Sequence, residues 1–163
     1  MVHGIPITAA EVSALVERWS ASVVEENPVV TNVERDPSCE RWFVRARGEE
    51  KLVTTLWITV REETVNFETY FMPAPEENIA QCYEYLLRAC ARFYAYRINI
   101  GGEDALYLSA QLPFSAFVAP NGEAELDRML GAAYAYSEDC FRTAMSIGYA
   151  THFNRQPSRH FNR

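Results

Sequence analysis

Three stretches of the chain carry apolar residues at the three- and four-residue spacing of an amphipathic α-helix. The first begins at Thr8, where Thr8-Ala-Ala-Glu11 fits a capping box, and it stops before Pro28 because proline disfavours helical backbone in the residue ahead of it. The second covers residues 75–93, and the third covers residues 123–150 with Asn121 as its cap. Each helix has one apolar face and therefore needs a surface that covers it.

Between the first two helices, apolar and polar residues alternate with the two-residue period of β-strands. Strands are predicted at residues 29–35, 41–47, 52–61 and about 65–71. Leu52, Leu56, Ile58 and Val60 mark one side of the third strand, which is partly apolar on its other side too.

Gly101-Gly102 indicates the turn of a further hairpin within residues 96–112. The order helix, strands, helix, hairpin, helix therefore predicts an α+β fold, with three helices and an antiparallel sheet of about five to six strands.

Composition narrows the class of protein. With 163 residues, 48% of them hydrophobic and 23% charged, the chain has the size and composition of one globular domain. We take residues 1–153 as that domain and residues 154–163 as a basic tail, in which His152-Phe-Asn-Arg155 recurs as His160-Phe-Asn-Arg163. A net charge of −7 argues against a nucleic-acid partner. With neither a signal-peptide pattern nor an apolar run long enough for a membrane span, a cytoplasmic location is expected.

The sequence contains no recognisable catalytic signature. No GxSxG, HExxH, Walker or GxGxxG pattern occurs, and the Glu doublets fall at the ends of predicted elements, where solvated turns explain them. His152 and His160 could weakly hold zinc or nickel, but no Cys or carboxylate stands at ligand spacing, so we expect no metal site. Four cysteines without a CxxC pair are interpreted as buried thiols. A non-enzymatic protein without a cofactor is predicted.

Aromatic residues divide unevenly along the chain, because all three tryptophans precede residue 58 while all nine tyrosines fall at residue 70 or later. Tyrosine is enriched at protein interfaces, and residues two apart on a helix lie on nearly opposite faces, so the paired tyrosines cannot all point inward. We hypothesise a homodimer interface in the second half of the chain and a client-binding surface formed by the sheet and first helix. The dimer residues are Tyr94, Tyr96, Tyr134 and Tyr136, and the client-binding residues are Trp19, Trp42 and Trp57.

Several short motifs, taken in order, resemble actinobacterial YbjN-domain proteins over about residues 12–153. They are Lys51-Leu-Val-Thr-Thr-Leu-Trp57, Pro75-Glu-Glu-Asn78, Tyr83-Glu-Tyr-Leu-Leu-Arg88, Tyr107-Leu108 with Leu112-Pro113, and Glu125-Leu-Asp-Arg-Met-Leu-Gly131. The resemblance implies the fold of type III secretion chaperones, usually in a homodimer. Proteins of this family are also described as sensory transduction regulators. The chain departs from the family at Ala89-Cys90-Ala91, where Arg or Asn is usual.

Two functional hypotheses follow. The first is a protein-binding module, chaperone-like or regulatory, which accepts a polypeptide or peptide client on apolar surface, with neither nucleic acid nor membrane as partner. The alternative is a regulatory domain that senses a small ligand in an enclosed apolar pocket. An enzyme is the least favoured reading, because no nucleophile, base and orienting group come together at a recognisable spacing.

Overall fold

Six strands form one antiparallel sheet in this computed structural model, which describes residues 7–153. Strands β1 to β4 follow the chain as a meander, and β5 lies at the far edge, outside β6, so the order is β1-β2-β3-β4-β6-β5. The edges of the sheet are therefore β1 and β5. The strands are β1 (Val30–Arg35), β2 (Arg41–Arg47), β3 (Val53–Val60), β4 (Thr64–Met72), β5 (Arg97–Ile100) and β6 (Leu106–Pro113).

Three long helices and one short one accompany the sheet. They are α1 (Ala9–Glu26), α2 (Ile79–Cys90), α3 (Gly122–Gly148) and α4 (Ala150–Phe153), with 3₁₀ turns at Gly102–Asp104 and Phe114–Phe117. The capping box of α1 is confirmed, because Glu11 N–H donates to Thr8 Oγ1 at 3.3 Å and Thr8 N–H donates to Glu11 Oε2 at 2.8 Å. The α+β fold with a six-stranded antiparallel sheet is thus the one predicted.

The second helix begins later than the sequence pattern indicated. Residues 75–78 run alongside the end of α3 instead, and the N–H groups of Glu76 and Glu77 donate to the carbonyl of Gly148 at 3.0 and 2.9 Å. Asn78, whose φ is 47°, turns the chain into α2. Because the Gly148 carbonyl at the end of α3 accepts from these amides, the helical turn predicted over residues 75–78 does not form.

All three long helices pack on the same face of the sheet. Alternate strand residues point into this core, as the two-residue period predicted for β2 and β4. Leu52, which the pattern grouped with Leu56, Ile58 and Val60 on one side of the third strand, precedes β3 and is 76% exposed, so its assignment to the strand is wrong. The fully buried side chains of the sheet include Trp42, Leu56, Ile58, Phe67, Phe71, Leu106 and Leu108.

Candidate functional site

Within residues 7–153, no helix lies on the other face of the sheet, and we call it the open face. Strand register places polar and aromatic side chains there, in contrast to the apolar core face. Antiparallel sheets commonly leave one face to solvent, so the composition of this face decides what it can bind. Its charged and aromatic members are Glu34, Arg41, Phe43, Arg45, Arg47, Trp57, Glu68, Tyr70, Arg97 and Tyr107.

An aromatic pair lies in the β2–β3 part of the open face. Phe43 and Trp57 stand directly opposite each other and meet edge to face, with ring centroids 5.9 Å apart. The Arg41 guanidinium lies 5.7 Å from the Trp57 ring, and its Nε donates to Thr59 Oγ1 at 3.0 Å. A groove of about 310 Å³ runs beside the pair and is lined by Asn32, Glu34, Phe43, Arg45, Thr55 and Trp57. This groove offers one apolar platform with polar groups around it.

A second apolar surface lies at the β5 edge, and we call it the α2–β5 groove. It has a volume of about 240 Å³. Leu87, on α2, is 67% exposed, and Ile100, on β5, is 56% exposed. Leu87 shares the three- and four-residue spacing of the apolar residues of this helix, but only Cys82, Leu86 and Ala89 of α2 are buried. The lining residues are Tyr83, Leu86, Leu87, Ile98, Asn99, Ile100 and Leu106.

The backbone of β5 is open along its outer side. Gly101 N–H donates to Ala105 O at 2.8 Å, and the pairs of β5 with β6 continue in the same register. Since bonded and non-bonded pairs alternate in antiparallel ladders, the N–H and C=O groups of Ile98 and Ile100 point away from β6. The opposite edge differs, because β1 has a register shift between Val30 and Asn32 and carries charged residues, which discourage strand pairing.

Lys51, the only lysine in the chain, lies beside Tyr70, with its Nζ 5.9 Å from the centre of the Tyr70 ring. Its Nζ donates to Tyr70 O at 2.5 Å, and the side chain is buried. Burial lowers the pKa of Lys51 to about 8, with Glu138 acting in the opposite direction. Burial also raises the pKa of the Tyr70 hydroxyl. The hydrogen bond of Lys51 to the Tyr70 carbonyl therefore links the β2–β3 turn to β4.

Two of the three predicted client-binding tryptophans lie in the core. Trp19 is 2% exposed and donates from Nε1 to Asp127 Oδ1 at 2.7 Å, and Trp42 is 1% exposed and donates to Glu17 Oε2 at 2.8 Å. Each indole is packed in the core and donates its N–H to a carboxylate, so neither tryptophan is exposed to a client. The prediction that Trp19 and Trp42 bind a client is therefore corrected. Trp57 is half-buried on the open face, and its client-binding role stays a prediction.

The four tyrosines of the predicted dimer interface lie in different surroundings. Tyr96 is 3% exposed and its hydroxyl donates to Met129 O at 2.9 Å, so it is a core residue and is corrected as an interface residue. Burial raises the pKa of Tyr96 far above its usual range. Tyr136 stacks on Phe93 with ring centroids 4.0 Å apart, which leaves it half-buried within the chain.

Tyr94 and Tyr134 remain accessible. Tyr94 is 74% exposed, and the Arg128 guanidinium lies 5.4 Å from its ring centre. Tyr134 is half-buried on α3, and its pKa is raised by partial burial and by nearby Glu138. The tyrosines therefore do not form one continuous patch, and sequence reasoning missed the apolar residues Leu87 and Ile100 that do lie together. For Leu87, the signal was that the apolar arc of α2 is wider than one core face needs.

The part of the chain that the structure describes has neither a cluster of metal-binding side chains nor a helix that could span a membrane. Between Ile7 and Phe153, no group of three or more His, Cys, Asp or Glu residues could hold a metal ion. His160, the second half of the possible histidine pair, lies outside the described residues, as does the tail of residues 154–163. No helix of the described part combines the length and apolar character of a membrane span.

The fold is similar to that of one secretion chaperone of known structure. The chain superposes on the type III secretion chaperone SycH of Yersinia pestis, solved in complex with a stable fragment of YscM2, with a TM-score of 0.50 over 79% of this chain and 98% of that chain, at 11% identity. An uncharacterized protein from Methanothermobacter thermautotrophicus also gives a TM-score of 0.50, at 9% identity over 83% of this chain and 97% of that one. The type III secretion chaperone fold implied by the sequence resemblance is confirmed.

Relatives by sequence carry no functional name. Uncharacterized proteins of Mycobacterium bovis and Mycobacterium tuberculosis are 28% identical over 114 residues, which is 70% of this chain and 60% of theirs. An uncharacterized protein of Mycobacterium leprae is 23% identical over 116 residues, which is 71% of this chain and 61% of that protein. The chain thus spans about three fifths of the length of these relatives. No family model matches the chain, so membership of the YbjN family stays a prediction.

Proposed function

We propose that this protein is a non-enzymatic module, chaperone-like or regulatory, which binds a segment of another polypeptide on the open face of its sheet. The observation that carries the proposal is the Phe43–Trp57 pair, an apolar platform on a sheet face that no part of the described chain covers. The chaperone fold supports it, since SycH was solved with a protein fragment bound. The proposal needs no cofactor and keeps the cytoplasmic location.

Shape favours a polypeptide over a small ligand. The groove beside Trp57 and the α2–β5 groove are not enclosed, whereas small-molecule sites usually bury most of their ligand. An extended chain lying on strands β2 and β3 would place every second side chain on the sheet, which suits a narrow aromatic platform. Sensing of a small ligand is therefore the weaker alternative.

Tryptophan emission tests the binding surface. Because Trp19 and Trp42 are buried, a ligand on the open face should change mainly the emission of Trp57 when the neutral peptide Ser-Gln-Ser-Phe-Ser-Gln-Ser is titrated in. Phe43→Ser removes half of the platform and should weaken binding at least about fivefold, within the usual range for loss of an aromatic contact. Leu52→Ser, which changes an exposed apolar residue in the β2–β3 turn away from the aromatic pair, is the control. Equal weakening by both variants would contradict the proposed surface.

The proposal includes a homodimer, with the α2–β5 groove as its interface in place of the predicted tyrosines. Two β5 edges pairing antiparallel about a two-fold axis would bond the outward groups of Ile98 and Ile100 and bury Leu87 and Ile100. Such an interface is self-complementary, as closed two-fold assemblies require, and it would remove the open edge. The regulatory reading would act through changes in this contact.

Light scattering across protein concentration tests the dimer. We expect a dimer that dissociates in Leu87→Ser, because a polar side chain would enter the apolar interface, while circular dichroism stays unchanged. Val118→Ser, which changes an exposed apolar residue on another side of the molecule, should leave the mass unaltered. A monomer at every concentration in the unaltered protein would rule out the dimer.

A further inference from the structure

We propose that the polypeptide segment bound on the open face is acidic, with Asp or Glu two residues before and two residues after an apolar side chain. This inference rests on the proposed function and adds the chemistry of the ligand to it.

The open face carries a charge opposite to that of the chain. It holds four arginines, Arg41, Arg45, Arg47 and Arg97, against two glutamates, Glu34 and Glu68, while the chain as a whole has a net charge of −7. A basic face attracts negatively charged segments and repels positively charged ones. Charge complementarity therefore specifies the ligand as anionic.

The arginines of this face have no carboxylate partner among the residues that the structure describes. Of the seven arginines elsewhere in residues 7–153, four form ion pairs: Arg35 with Glu17 and Glu40, Arg88 with Glu84, Arg128 with Glu125, and Arg142 with Glu50. Within residues 7–153, none of the four open-face arginines has a carboxylate oxygen within 4.0 Å. Their guanidinium groups can therefore bind an incoming carboxylate, which matches the planar fork of arginine.

Spacing along β2 fixes the pattern of the ligand. Arg41, Phe43 and Arg45 are successive residues of β2 on the open face, and Trp57 pairs with the central one. Same-face residues recur about every 6.7 Å along a strand. An extended ligand has the same repeat, so an apolar residue on the Phe43–Trp57 pair brings the residues two before and two after it to Arg41 and Arg45. Those two positions are where Asp or Glu fits.

A polypeptide fits this face better than a nucleic acid. Glu34 stands directly opposite Phe43 and Glu68 stands directly opposite Trp57, so the aromatic platform is bordered by two carboxylates. A nucleic acid carries a phosphate at every nucleotide and would bring charge next to these carboxylates when a base stacked on Trp57. A peptide with an uncharged central residue avoids that repulsion and keeps its acidic groups at the arginines.

Three peptides that differ only in charge test the inference on the full chain. Trp57 emission would be followed while Ser-Glu-Ser-Phe-Ser-Glu-Ser, its Gln analogue or its Lys analogue is added. The Glu peptide should bind at least about fivefold tighter than the Gln peptide at low salt, with the Lys peptide weakest, and the preference should shrink at high ionic strength because exposed charges are screened.

Variants of one arginine locate the preference. Arg45→Gln should reduce the Glu-over-Gln preference, and Arg45→Glu should reverse it toward the Lys peptide. Arg142→Gln, an exposed arginine on α3, is the matched control and should leave the preference unchanged.

Three outcomes would overturn the inference. Equal affinity for the Glu and Gln peptides removes the charge specificity but leaves the proposed polypeptide binding standing. Failure of all three peptides to change Trp57 emission removes both together. If a single-stranded oligonucleotide binds more tightly than the Glu peptide, the ligand of the open face is a nucleic acid and not a polypeptide.

Discussion

Glu138 holds the β2–β3 turn against α3 by a single carboxylate. The N–H groups of Glu49, Glu50 and Lys51 donate to it at 2.8, 2.9 and 3.1 Å. Gly48 completes the contact, because a Cβ on that residue would lie 2.1 Å from Glu138 Oε1. Hydrogen bonds to an ionised acceptor are stronger than neutral ones, so this residue contributes more than an ordinary exposed glutamate.

Replacing Glu138 with Gln tests that contribution. The variant keeps the shape of the side chain but loses the charge and one acceptor oxygen, so the free energy of unfolding should fall by about 1–2 kcal/mol. Urea denaturation at pH 7 measures the change. Asp139→Asn, the adjacent exposed acid on the same helix, should alter stability by much less, and an equal loss in both variants would contradict the assignment.

Lys51 should make the free energy of unfolding change with pH in the alkaline range. Its pKa in the folded chain is about 8, below the ordinary value of 10.5, so between these values the folded chain binds fewer protons than the unfolded chain. The free energy of unfolding therefore rises with pH through this window. Compared with Lys51→Met, the unaltered protein should gain roughly 1–2 kcal/mol between pH 7 and pH 9.5, measured by urea denaturation at both values. The same pH dependence in both proteins would show that another group is responsible.

Tyr96 contributes to the core rather than to an interface between chains. Tyr96→Phe keeps the ring and removes the hydroxyl that donates to Met129 O, so it should lower the free energy of unfolding by about 1 kcal/mol. Because Tyr96 is buried within one chain, the solution mass measured by light scattering should not change. Tyr94→Phe, at an exposed residue, should leave stability unaltered, and dissociation of an assembly by Tyr96→Phe would restore the original interface assignment.

At the scale of elements, the sequence predicted which segments are helix and strand but not which residues of a helix stay outside. Ile79 and Leu87 share the three- and four-residue spacing of the buried α2 residues, yet Ile79 is 48% exposed. Spacing gives an apolar arc, whereas burial depends on how much of that arc α3 and β5 cover. The late start of α2 was equally hidden, because it depends on the distant carbonyl of Gly148.

The turn between β5 and β6 is a second element whose backbone the sequence did not reveal. The glycine pair stands beside the turn, while Glu103 and Asp104 at its centre have φ values of 58° and 57°. Gly101 is needed for a different reason, since a Cβ there would lie 2.5 Å from the Tyr107 ring. The left-handed region is unfavourable for Glu and easier for Asn and Gly.

Residues better suited to a positive φ at positions 103 and 104 should stabilise the chain. The double change Glu103→Asn with Asp104→Gly supplies the residues that tight hairpin turns favour and should raise the free energy of unfolding by about 1 kcal/mol. Thermal denaturation followed by circular dichroism measures it. Glu103→Gln keeps the strain and should change little, so equal stability of all three proteins would contradict this account.

At the scale of the whole molecule, the alternation of apolar and polar residues and the order of helices and strands were enough to predict the fold. The candidate site could be predicted only in part. Trp42 and Phe43 are neighbours in β2, and the pattern alone could not say which of the two sides would receive the helices. Glu17 and Asp127, which accept hydrogen bonds from the buried indoles of Trp42 and Trp19, come from other elements of the fold. Only tertiary packing therefore distinguishes Trp57, which remains on the open face.

The free outer side of β5 has a consequence for amide hydrogen exchange. The amides of Arg97 and Asn99 point toward β6, whereas those of Ile98 and Ile100 point outward. A single short strand should thus show deuterium uptake that alternates from residue to residue, fast at both isoleucines and slow at their neighbours. If two chains pair along this edge, the isoleucine amides become protected as protein concentration rises, so the exchange pattern of two residues reports the assembly directly.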